Sequence, residues 1–262
     1  TESPVTFSSG AATIQNLVVS TTFTQSFGAL TVLGPSQFNG PVTLSGGTLT
    51  LHGPSYATGE FTLSGGTLTG SGTLTITGGH ALISGAMTGS GYTILAGTGT
   101  ISSLNLDDDR LVRIAGTTAW TGASYERIYF NYLGSGGGAG RMETTATGVF
   151  DIRTDALMVN LSGTAGQFTN AGVIRKTFGT GTTGLDVQVV NSGAFDVQTG
   201  TVRLGAGGTH TGSFSTSGSG VVNFDRGVHH LQGASALTGS ISFTGSTQNG
   251  VADVTTIDGS YA

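Results

Sequence analysis

Four groups of side chains in this chain have types and spacings that could do chemistry. Asp107, Asp108 and Asp109 stand in a row, with Asp151 and Asp155 further on. Two carboxylates facing one bond are what glycoside hydrolysis needs, one as acid and one as base or nucleophile. The same triplet offers carboxylate oxygens to calcium. It lacks the alternating Asp-x-Asp-x-Asp-Gly spacing, and no Gly-Gly-x-Gly-x-Asp nonapeptide occurs. It therefore reads first as a solvated acidic turn and only as a weak metal candidate. His210 and His230 are set at a spacing that recurs elsewhere in the chain, with His229 beside the second. Stacked on adjacent coils they could share a metal, but no third ligand accompanies them, so an outward ladder is expected.

Aromatic and hydroxyl groups make the other two sets. Trp120, Tyr125, Tyr129 and Tyr132 suit stacking against a sugar ring, since such side chains join apolar area to a polar tip. Packing beneath a loop explains them as well. Thr48 and Thr50 return as Thr67 and Thr69, and Thr73, Thr75 and Thr77 follow. A flat, charge-free threonine array is what an ice-binding solenoid would display. The series dissolves into Gly99-Thr100 and Ser102-Ser103, and threonine is in any case a favoured polar residue of strands. There is no Gly-x-Ser-x-Gly elbow for a nucleophilic serine, and no cofactor is expected. With Lys176 as the only lysine, the basic groove of an acidic-polysaccharide lyase is not expected either.

The elements that position these groups follow from composition and repetition. Of 262 residues, 47 are Gly, 44 Thr and 27 Ser, while only 9% are charged. Mean hydropathy is +0.15. Disorder requires low hydrophobicity with high net charge, and neither holds. Strong helix formers are scarce, which argues against long helices. No cysteine is present, so disulfides and thiolate chemistry are excluded. A formal net charge of −5 argues against nucleic-acid binding through phosphate neutralisation. No apolar run approaches a membrane span. Residues 1–106 hold Glu2 and Glu60 and no Lys or Arg, so their surface must be hydroxyl, amide and backbone. With Thr1 first and no signal peptide, the chain reads as a mature or excised piece.

Self-similarity at a period of about 20 residues is the signature of a solenoid. Val42-Thr-Leu-Ser-Gly-Gly-Thr-Leu-Thr50 returns as Phe61-Thr-Leu-Ser-Gly-Gly-Thr-Leu-Thr69. Val202 and Leu204 return as Val222 and Phe224, then as Ile241 and Phe243; Asn170-Ala-Gly-Val173 is echoed by Asn191-Ser-Gly-Ala194. Within each period, runs such as Phe61-Thr62-Leu63 and Phe195-Asp196-Val197 alternate apolar and polar, which makes strands with one inward face. Glycine pairs between them supply sharp corners. The reading is an all-β, single-stranded parallel β-helix (β-solenoid) of about 20 residues per coil. It occupies 1–262 as one unit: nearly uncharged coils over 1–106, an irregular aromatic and glycine-rich excursion over 107–147 that includes Gly134 to Gly140, and regular coils over 148–262. Thirteen periods at about 4.8 Å would give a rod of about 60 Å.

The segment Asn191-Ser-Gly-Ala-Phe-Asp-Val-Gln-Thr-Gly-Thr-Val-Arg-Leu-Gly-Ala-Gly-Gly-Thr-His-Thr-Gly-Ser-Phe214 resembles a phrase of very large exported bacterial β-strand-repeat proteins. Asn170-Ala-Gly-Val-Ile-Arg-Lys-Thr-Phe-Gly-Thr-Gly181 looks like the preceding coil of that family. Leu111-Val-Arg-Ile-Ala-Gly-Thr-Thr-Ala-Trp-Thr-Gly122 is similar to its Asn-Ala-Gly-Thr-x-x-Trp-x-Gly coil, with Ile114 in place of the usual Asn. In style these proteins resemble filamentous-haemagglutinin-like adhesins and autotransporter passengers. The resemblance spans about residues 60–250, and fold does not fix function. It implies a right-handed helix on or outside a bacterial cell.

Both ends of such a rod carry unpaired backbone edges, and Pro4 is the only breaker near the first. The expectation is a slice of a longer rod or a subunit that polymerises head to tail. The expected role is a non-enzymatic, extracellular structural or adhesive solenoid. Its partners would be cell-surface carbohydrate or protein, or further copies of itself. No nucleic acid and no membrane insertion are expected. The alternatives are an ice-binding protein using the Thr-x-Thr array, and a polysaccharide-active enzyme using the Asp107–Asp109 region.

Overall fold

The structure, a computed structural model, describes residues 3–132, 138–233, 235–245, 247–248, 251–252 and 255–258. Glu2, residues 134–137 of the glycine stretch, and 259–262 lie outside the described residues. Every regular element among the described residues is a strand. None is a helix long and apolar enough to cross a membrane.

Three short strands make one coil. The first coil is Val5–Phe7, Ala11–Ile14 and Leu17–Val19; the second is Phe23–Gln25, Ala29–Val32 and Ser36–Phe38. Strands stack in parallel on their counterparts of the next coil, so the solenoid has three faces, numbered here in chain order. Face three is a sheet of 12 strands, giving about 12 coils. Faces one and two form a single 22-stranded sheet, because Phe61–Thr69 and His80–Met87 each run round their shared corner without a break. Stacking at about 4.8 Å per coil makes a rod of roughly 50 Å.

The coil length is about 19 residues and holds steady through most of the first half. Phe23 pairs with Val42, Val42 with Phe61, Phe61 with His80 and His80 with Gly99. The step from Thr118 to its partner Phe150 is much longer. The excess falls at all three corners, at 121–127, between Phe130 and Arg141 and at 145–148, while Leu111–Ile114, Thr117–Trp120 and Ile128–Phe130 keep their places in the stack. Within 107–147 the described strands thus keep an unbroken stack, with the turn at 107–110 and the loop 121–127 set between them.

Alternation along each strand decides what is inside. Thr48–Leu51 buries Leu49 and Leu51 and turns Thr48 and Thr50 outward. Because the coils are in register, inward residues form columns such as Leu30, Leu49, Leu68 and Met87. Val202 and Val222, with Ile241 next, and Leu204 and Phe224, with Phe243 next, stack as the repeat requires. The corner between faces one and two is a column of glycines. Gly47 has φ +70°, and a Cβ there would stand 2.4 Å from the Gly28 carbonyl oxygen. Only glycine both adopts that backbone and leaves the next coil room.

Candidate binding faces

The threonines separate into two groups. Thr48 and Thr50 pair with Thr67 and Thr69 on face two. The column continues backward through Thr31 to Thr13, so Thr13, Thr31, Thr50 and Thr69 stand in register over four coils. Ala11 and Ala29 precede Thr48 and Thr67 in the neighbouring column, and Ala86 and Asn105 follow them. Thr73, Thr75 and Thr77 do not extend this array. Thr73 and Thr75 belong to face three, where Thr73 pairs with Tyr92 and Thr75 lies between Tyr56 and Ile94, and Thr77 follows the end of that strand. The corner at Gly70 and Gly72 turns the chain between them. Face one carries a further column that the sequence reading missed: Thr6, Thr24, Thr43, Thr62, Ala81, Thr100 and Ala119. Five of its seven members are threonines, and Thr6, Thr43 and Thr62 each stand alone between two apolar residues, without the Thr-x-Thr mark.

The four aromatics do not share one platform. Trp120 is fully buried, stacked on Phe150 at 6.2 Å, and its Nε1 donates to the Ser102 carbonyl at 3.3 Å. It is core, and its candidacy as a sugar platform is withdrawn. Tyr125 is 79% exposed on the 121–127 loop, between faces one and two. Tyr129 lies outward on face two, paired between Asn105 and Val159, and its ring centroid is 5.1 Å from that of Tyr132. Tyr132 follows the end of Ile128–Phe130, at the opposite corner of face two.

The acids are also dispersed. Asp107 is buried and bridges to Ala139, while Asp108 and Asp109 take φ of 55° and 65°. The turn is closed by Asp109 N–H donating to Gly138 O and Arg110 N–H donating to Asp107 O. It thereby sends Arg110 into the interior, where Nη2 donates to Thr93 Oγ1 at 2.7 Å. Burial lowers the Arg110 pKa to about 10. Asp151 lies on face one, held by Arg175 at 3.3 Å and by the Thr177 hydroxyl at 2.6 Å. Asp155, at a corner, accepts from Lys176 at 2.7 Å and from Gly181 N–H. Among the described residues, no three His, Cys, Asp or Glu side chains converge as a metal site would require.

The histidine expectation is corrected. His230 is exposed and pairs with Thr209; His210 and His229 are the buried pair. His229 Nε2 lies 3.1 Å from the Arg226 carbonyl, which can only accept, so that nitrogen carries the proton. His229 Nδ1 must then accept from His210 Nε2 at 3.2 Å. With both rings neutral, each is an Nε2–H tautomer, and both pack edge-on against Phe224. Burial first, then the charges of His229 and His230, lowers the His210 pKa to about 3. His80 is buried likewise, its Nε2 reaching Thr118 Oγ1 at 3.0 Å, and burial lowers its pKa to about 4. It spans a coil to do so. Gly99 lies between, and a Cβ there would be 2.4 Å from His80 Cγ.

Charge on the second half is matched between coils. Arg203 bridges Asp186 at 2.8 Å and Asp225 at 3.0 Å, and Arg226 reaches the same two acids at 3.5 and 3.3 Å. Arg113 meets Glu143 at 3.2 Å on face three. The chain matches no protein-family model, no curated protein and no solved structure.

Proposed function

We propose that this β-solenoid is a non-enzymatic structural and adhesive rod of a bacterial surface protein, working outside the cell. The observation that carries the reading is the column Thr6, Thr24, Thr43, Thr62, Ala81, Thr100, Ala119. Five of its seven positions are threonine, and Thr6, Thr24, Thr43 and Thr62 repeat one hydroxyl at about 4.8 Å over four consecutive coils. Each hydroxyl offers one weak donor and acceptor. Many in register bind a repetitive partner through multivalency, without a deep pocket. The charges of the second half support the same reading, since most are engaged by neighbouring coils. Carbohydrate or protein on a cell surface, or another copy of the rod end to end, is the partner class. The extracellular setting rests on the resemblance of 170–214 to exported repeat proteins.

The test is adherence of the purified chain to immobilised cell-surface glycans and to whole cells, with negative-stain images over a concentration series. Saturable adherence or filaments are expected, and T43K/T62K should abolish adherence while leaving the melting temperature within a few degrees. A strict monomer that adheres to nothing overturns the proposal. The column Thr13, Thr31, Thr50, Thr69 favours ice binding as a second reading, and thermal hysteresis in a freezing assay decides it.

A further inference from the structure

Face three of the first five coils differs from the other two. Its outward central column is Val18, Gln37, Tyr56, Thr75 and Ile94. Tyr56 is 53% exposed and Tyr92, in the neighbouring column, is 42% exposed. The strand Thr73–Ile76 runs between them: Thr75 pairs with Tyr56, and Thr73 with Tyr92. The two rings are thus two coils apart, roughly 10 Å along the axis, and offset by about 7 Å along the strand. Beside Tyr56 is a hollow of about 400 Å³ lined by Asn16, Val18, Pro35, Ser36 and Gln37. Among the described residues, neither ring packs on another aromatic ring.

We infer that this strip binds a neutral polysaccharide chain, with Tyr56 and Tyr92 as its stacking rings; the inference rests on the adhesive reading above. Aromatic faces match the apolar faces of sugar rings, and a phenolic tip adds a hydrogen bond. The amides of Asn16 and Gln37 and the hydroxyls of Thr73 and Thr75 stand between and beside the rings as donors and acceptors for sugar hydroxyls. Charge selects the ligand. The strip holds no Asp, Glu, Lys or Arg, and the first charged residue on the face, Arg113, is already paired with Glu143. An anionic glycan or a nucleic acid would find no counter-charge. A flat sheet with two rings spaced along it suits an extended polymer better than a single small molecule. Thr73 and Thr75 then act as the hydroxyl row between two aromatics, a role different from an ice-facing array.

Affinity electrophoresis of the full chain in native gels tests this, using soluble β-glucan, galactomannan and dextran, with polygalacturonate as the anionic comparison. At least one neutral polymer should retard the chain, and polygalacturonate should retard it less. Y56A and Y92A should each weaken retardation roughly threefold to tenfold, and the double variant more than tenfold, while Y56F/Y92F keeps most of it. Matching circular dichroism melts show that the variants fold. Undiminished retardation of Y56A/Y92A overturns the strip and leaves the adhesive reading standing. Retardation by none of the neutral polymers, or stronger retardation by polygalacturonate, also overturns it; adherence to cells in the earlier assay is then the separate measure of the adhesive reading.

Discussion

His210 donates from Nε2 to Nδ1 of His229 across 3.2 Å, inside an aromatic cluster that also holds Phe214 and Phe224. With both rings neutral the bond has this one direction, because the Arg226 carbonyl takes the proton at the far nitrogen of His229. A proton added to His229 would turn its acceptor into a donor facing a donor. A proton added to His210 would go to Nδ1, which is buried with no partner.

Stability should therefore fall in mild acid. Burial depresses the pKa of His210 to about 3 and of His80 to about 4, against 6.5 when unfolded. Between those values the unfolded chain binds more protons, so stability is intact above pH 6.5 and declines as pH falls below it. The slope is about 1.4 kcal/mol per pH unit for each such imidazole. Urea midpoints at pH 7.5, 6 and 5 measure the decline, and H80L should flatten part of it. A midpoint unchanged between pH 7.5 and 5 would contradict the assignment.

Two glycines with nearly the same backbone should respond differently to alanine. Gly10 and Gly47 have φ of +73° and +70°, but a Cβ on Gly10 meets nothing within 4 Å, whereas on Gly47 it strikes the Gly28 carbonyl. G10A should cost about 1–2 kcal/mol, the left-handed penalty alone. G47A should cost more, because backbone must move as well. Thermal melts of the two variants rank them directly.

Lys176 is fully buried and donates to Asp155 Oδ1, the Thr154 carbonyl and the Thr183 hydroxyl. Removing the acid strands a buried ammonium, so D155A should cost roughly 3–5 kcal/mol. K176M should cost less, since Asp155 is partly exposed and rehydrates. Equal losses in denaturant titrations would argue against this ordering.

Trp120 and Tyr125 should part company under mutation. W120A should cost about 3–5 kcal/mol through the cavity it leaves. Y125A should leave the melting temperature unchanged, because its ring is mostly in solvent. If adherence falls in Y125A at full stability, the 121–127 loop joins the binding surface.

The solenoid was legible because inward residues return at near-constant spacing: Val202 and Val222, and the twin segments 42–50 and 61–69, state the register themselves. The core place of Trp120 was legible too, since it stands one regular coil after Ile101 and pairs with it, and packing is the alternative of the two that it takes. The histidine pair was harder. Side chains alternate along a strand, so an error of a single position exchanges inside for outside. Coil lengths there also depart from the earlier step, and the partner of His210 is Leu231, not His230. Thr73 to Thr77 misled because nearness in sequence hides the corner at Gly70. Tyr56 and Tyr92 gave no signal, because tyrosines so far apart in the chain become neighbours only once the coil step is known.

The matched charges also bear on how the chain finds its own order. A stacking error that skipped one coil would set 61–69 where 42–50 belongs and change almost nothing, since the segments differ only at Phe61 and Val42. The same slip further on would set Asp151 against Asp196 in place of Arg175, acid beside acid. A slip by one coil is thus nearly free at the twin segments and penalised by like charge further on, so the charged coils discriminate between registers that 42–50 and 61–69 leave alike.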